Sequence, residues 1–91
     1  LKKYSEAIEI LNAGKEVAVK NNPLKVQFLS SLGDAYNNMK EYEKSDSSFS
    51  DALAIDPDNA YVLNNYSYYL SLRSENLDKA KKMSAKSLEL E

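Results

Sequence analysis

Apolar residues recur along the chain at spacings that a helix gathers onto one side. Leu29, Leu32, Gly33 and Tyr36 stand at offsets of three, four and seven, and Leu63, Tyr66, Ser67 and Leu70 repeat those offsets 34 residues later. In an α-helix such positions share a face. A second kind of segment alternates with these: YSEAIEILNAGKEV from Tyr4, YEKSDSSFSDALAID from Tyr42 and LDKAKKMSAKSLELE from Leu77. Each opens on a large apolar residue followed by polar ones, with a small residue three places on: Ala7, Ser45 and Ala80. Their starts lie 38 and then 35 residues apart, the spacing of a two-helix unit with short turns.

This pattern predicts five helices, over about 2–21, 24–39, 42–55, 59–73 and 76–90. The punctuation agrees. Pro23 follows Asn21-Asn22 and Pro57 follows Asp56, and each marks the end of one helix or the start of the next. Asp58 or Asn59 is placed to cap the fourth helix, and Asn76 the fifth, by accepting a bond from a free N–H two or three residues on. Flexible linkers and low-complexity tracts are absent, so residues 1–91 read as a single all-α domain.

Composition narrows the picture. The chain has 91 residues, with 43% hydrophobic and 29% charged, enough for one soluble domain that buries roughly 60–65% of its unfolded surface. Gly and Pro total four (two each), which favours a few long helices over many short strands. The net charge of −2 argues against a general nucleic-acid or membrane-surface binder. Cys is absent, so there is no disulfide framework or thiolate metal site, and its absence assigns no compartment. No apolar run approaches the roughly 18–20 residues that span a bilayer, so direct membrane insertion of this segment is not expected. No signal-like segment opens the chain, and a start on Leu1 points to a piece of a longer protein.

The segment LSSLGDAYNNMKEYEKSDSSFSDALAIDP, residues 29–57, resembles the tetratricopeptide repeat. Leu32-Gly33 matches that family's Leu-Gly, Tyr36 its Tyr, Phe49 its second-helix aromatic, Ala52 its Ala and Pro57 its closing Pro, within a 34-residue unit over 26–59. Two partial units in register extend the resemblance over nearly the whole chain. It implies a right-handed α-solenoid of stacked antiparallel helix pairs. Residues 1–23 would be the second helix of a truncated repeat, 24–59 a complete repeat and 60–91 a second one. The departures fall at Leu29 and Leu63 (often Trp), Ser45 for Ala, Ser67 for Gly, and Ser84 and Ser87 in the last helix. One extra residue stands near Ser74-Glu75, and the junction at Asn21-Asn22-Pro23 is longer still. The wording of residues 63–80 looks most like bacterial repeat proteins, some of them exported. Bacterial cytoplasm and periplasm both stay open.

Register then sorts the tyrosines of LNNYSYYLSL. Tyr66 aligns with Leu32 and Leu70 with Tyr36, both in the helix-pair core, while Tyr69 aligns with Ala35 and should face a neighbouring repeat. Tyr68 aligns with Asp34, which in the resembled family lines the concave groove. On that basis the groove wall carries Gln27, Ser30, Asp34, Asn37 and Asn38 from the second helix, and Tyr61, Asn64, Asn65 and Tyr68 from the fourth. Asn and Gln amides offer donor and acceptor to a peptide backbone, and Tyr offers a large, rather rigid face. The resemblance therefore implies a scaffold binding a peptide or helix of a partner protein. The alternatives are a structural module that assembles through its open ends, as a homo-oligomer through the terminal helices, and the non-catalytic arm of a larger protein. A chaperone-tail clamp is not expected. Asn65 fits one clamp position, but Gln27, Ser30, Ser31, Tyr61 and Asn64 stand where fixed cations would hold a carboxylate.

Catalytic chemistry finds no support. His and Cys are absent, no Ser sits in a Gly-x-Ser-x-Gly turn, and carboxylates such as Glu6, Glu9, Glu41 and Glu43 are spread over helical surfaces. No catalytic residue, metal site or cofactor is expected. Asp56-Pro57-Asp58-Asn59 lacks the Gly and Glu an EF-hand needs. Lys79, Lys82 and Lys86 form a basic stripe on the last helix, diluted by Asp78 and Glu89 and without interleaved aromatics, so nucleic acid is not an expected partner.

Overall fold

The computed structural model describes residues 2–17, 21–73 and 76–90. Among them lie five helices and no strand: α1 (Lys2–Val17), α2 (Asn22–Asn38), α3 (Tyr42–Ile55), α4 (Ala60–Leu72) and α5 (Leu77–Leu90). The third helix has the bounds its pattern predicts. The first stops short of residue 21, because Asn21 is the N-cap of α2 and its side chain accepts from the Leu24 N–H at 3.1 Å. Residues 18–20 and the extra residue near Ser74-Glu75 lie outside the described residues. Asn59 caps α4 by accepting from the Val62 N–H at 3.0 Å, which settles the choice between Asp58 and Asn59. Asn76 has positive φ, 46°, and its carbonyl accepts from the Ala80 N–H at 2.9 Å, opening α5.

Helices run antiparallel in the pairs α1–α2, α2–α3 and α4–α5. Gly14 of α1 meets Phe28 and Ser5 meets Met39, so α1 and α2 run in opposite directions. Ser45 and Phe49 meet Gly33, while Asp51 and Ile55 lie beside Lys25 and Leu29, which makes α2 and α3 antiparallel. Lys79 reaches Tyr66 and Ser87 reaches the Ala60 carbonyl, which does the same for α4 and α5. Helix α4 then packs on both α2 and α3. The result is a helical solenoid of stacked pairs.

The α2–α3 crossing shows why these residues recur. A Cβ on Gly33 would stand 2.6 Å from Phe49 Cζ. Only a residue without a side chain lets that ring, wholly buried, lie against the α2 backbone. Burying such a ring contributes about 1.5–3 kcal/mol. The small Ser45 adds a bond of its own, its hydroxyl donating to the Gly33 carbonyl at 2.7 Å in the buried crossing. Tyr66 stacks on Phe49 with centroids 5.4 Å apart and, with Val62, Leu63 and Leu70, continues the core into the α4–α5 pair, where Ala80 and Met83 close it. The end of α4 is held to α3 by Arg73, whose guanidinium donates to Asp46 at 2.6 Å and lies over the Tyr42 ring.

Candidate functional site

Helices α2 and α4 lie side by side, and a single carboxylate joins them. Asp34, in the second half of α2, accepts from the Tyr69 hydroxyl at 3.0 Å, the Tyr61 hydroxyl at 3.3 Å and the Asn65 amide at 3.4 Å. The three donors stand at intervals of four, which places them on one side of α4. Tyr69 also packs its ring against Phe49, at 5.9 Å, so it faces the preceding helix pair as its register predicts. Its phenol is pushed up to about 12, first by burial, then by the Asp34 charge and the hydrogen bond to Asp34, with smaller contributions from Tyr61 and Tyr68.

The residues expected on the groove wall therefore divide. Asp34, Tyr61 and Asn65 are tied to one another across α2 and α4. Ser30 is only 4% exposed and lines a cleft together with Gln27 and Tyr61. Its hydroxyl makes no hydrogen bond to the described residues. Asn38 is exposed and donates from its amide to the Asp34 carbonyl at 2.9 Å, capping its own helix. Gln27 is exposed and Asn37 half-buried. On α4, Asn64 is exposed, and Tyr61 and Tyr68 are each 59% exposed. Spacings of three and four put these three residues on one face. Asn64 and Tyr68 are the register equivalents of Ser30 and Asp34, the positions on α2 that lie against α4.

A cleft of about 530 Å³ opens between the first turns of α2 and α4, with Pro23, Val26 and Gln27 on one side, Tyr61 and Val62 on the other, and Asp56 and Asn59 at its end. Of the lysines expected as a stripe on α5, Lys79 and Lys86 are engaged with the rest of the fold. Lys79 sits over the Tyr66 ring and donates to its hydroxyl at 3.1 Å, and Lys86 bonds the Pro57 carbonyl at 3.0 Å and Asp58 at 2.9 Å. Among the described residues no group of three or more acidic, His or Cys side chains converges as a metal site would require. Nor is any of their helices long and apolar enough to cross a membrane.

The Asp34 tie is the part of the site that the sequence pattern does not supply. Its trace is a single acid on an otherwise uncharged stretch of α2, matched by three hydrogen-bonding residues at intervals of four on α4. That trace acquires meaning only when the two helices are known to be neighbours.

Residues 26–59 match the family model described as tetratricopeptide repeat. No curated protein and no solved structure matches the chain.

Proposed function

We propose, from the premise that this chain is a tetratricopeptide-repeat protein over residues 26–59, that it binds a peptide or helix of a partner protein along the face shared by α2 and α4. Repeats of this family mediate protein–protein interaction and are not catalytic units. The observation that carries the finer reading is the exposure of Tyr61 and Tyr68 on either side of Asn64, two large rings left in water on one helix face. Burying such rings on a partner contributes more than the same area of aliphatic surface, and their hydroxyls satisfy polar neighbours. Gln27, Asn37, Asn38 and Asn64 would supply hydrogen bonds to the partner's backbone, and Asp34 and Asn65 hold the surface in shape beneath them. The chain acts on its partner without catalysis, and neither nucleic acid nor a bilayer is its target.

Peptides selected from a display library on the immobilised protein provide the test. Replacing Asn64 and Tyr68 together with Ala should weaken the selected peptides by about tenfold or more, the loss of one hot-spot contact, with far-UV circular dichroism unchanged. Undiminished binding would remove these residues from the site.

A second reading is favoured by one specific observation. Ile10, Leu72, Leu77 and Leu88 are all more than half exposed, so apolar side chains stand in water at both ends of the stack. Assembly through these ends, with helices of another copy covering α4, would make the module structural. Sedimentation over a range of concentrations separates the two: a monomer that still captures peptide supports groove binding, and a stable dimer that has lost capture supports assembly.

A further inference from the structure

The cleft at the start of α2 and α4 has a chemistry of its own. Among the described residues, its one charged lining residue is Asp56 and its one aromatic is Tyr61, whose hydroxyl leans on a second carboxylate, Asp34. None of the described residues that line it is a cation. Two helix N-termini flank it, which would ordinarily favour an anion. Here the Asn21 and Asn59 side chains already accept from the N–H groups of Leu24 and Val62, and a bound anion would face Asp56 with no counter-charge. Val26, Val62 and Pro23 give the walls an apolar lower part. Ser30, 4% exposed, also lines it and keeps a hydroxyl that bonds none of the described residues.

We infer that this cleft is a specificity pocket for a basic side chain, Lys or Arg, of the bound partner peptide. The inference rests on the groove reading above and names the partner chemistry. The aliphatic stem lies along Val26, Pro23 and Val62, as long cationic side chains do on apolar surface. The head, all donors and no acceptor, meets the Asp56 carboxylate, with the Tyr61 ring face beside it. An acidic side chain is excluded by Asp56 and Asp34 together.

The test uses four pentapeptides identical but for the central residue, which is Arg, Lys, Glu or norleucine, titrated into the 15N-labelled protein and followed by two-dimensional NMR. The Arg and Lys peptides should shift the amides of Gln27, Ser30, Ser31 and Asn59, and the Glu and norleucine peptides should leave them in place. Asp56→Asn should weaken the Arg peptide by about threefold, the worth of one half-exposed ion pair. Raising the salt should weaken the wild-type complex and leave that of the variant unchanged. Equal responses to all four peptides, or none, would overturn the inference, as would an Asp56→Asn variant that binds the Arg peptide undiminished. Display-selected peptides that depend on Asn64 and Tyr68 but carry no basic residue would overturn this inference alone and leave the groove reading standing.

Discussion

Gly33 is the residue on which the complete repeat closes. Its missing side chain lets Phe49 come to 2.6 Å of where a Cβ would stand, and that ring is wholly buried. Gly33→Ala must therefore displace a ring that has nowhere to go, and should cost about 1–3 kcal/mol, read as a lower urea midpoint at unchanged m-value. Gly14 offers the internal comparison. A Cβ there would meet Phe28 at 2.5 Å, but Phe28 is half-buried and can swing outward, so Gly14→Ala should cost distinctly less in the same measurement. Gly33 was legible in the sequence because it stands inside a motif with fixed offsets to Leu29 and Tyr36. Gly14 was not, because its partner Phe28 lies across a junction whose length no pattern sets. The tyrosines divide in the same way. Register within the resembled repeat placed Tyr66 in the core, turned Tyr69 to its neighbour and left Tyr68 on an open face, and the structure shows Tyr66 buried, Tyr69 against Phe49 and Tyr68 exposed. Register could not show that Tyr69 and Tyr61 share a carboxylate, since that depends on how far α4 is advanced along α2.

Among the elements, the α2–α3 turn is closed by a defined set of backbone bonds. Met39 ends the helix, Lys40 takes φ of 63°, and the Glu41 N–H returns to the Tyr36 carbonyl at 2.9 Å. This is a Schellman closure with lysine at the left-handed position where glycine is usual. A side chain in that conformation costs about 1–2 kcal/mol, part of which glycine gives back through the greater freedom of the unfolded chain. Lys40→Gly should accordingly raise stability by up to about 1 kcal/mol, seen as a higher melting temperature with identical helicity. The start of α4 was readable from Asn59, and that of α2 approximately from Pro23, residues that act within three positions of themselves. The cap of α2 was not, because the pattern assigns Asn21 to the end of the first helix, and only the bond to Leu24 makes it the cap of the next.

At the scale of the whole molecule, the stack depends on how one helix pair holds the next, and here the hold is titratable. The Tyr69 phenol is raised from its ordinary 10.0 to about 12 by burial and by Asp34. A raised acid favours the folded state only while it stays protonated. Its contribution is complete below pH 10, declines as the unfolded chain ionises first, and is gone above about 12. Urea titrations between pH 8 and 12 should show stability falling across that window, and Tyr69→Phe should flatten the fall. A slope unchanged in the variant would show that the phenol is not coupled to folding. The three donors that converge on Asp34 span two turns of α4, and this has a mechanical consequence. A column of helix pairs flexes at the joints between them, and a joint whose polar ties all end on one carboxylate resists sliding but can pivot about that point. The helices within each pair share far more surface than α4 shares with α2, so a load applied to the ends would bend the spring at the seam between α2 and α4 before it peeled α5 from α4.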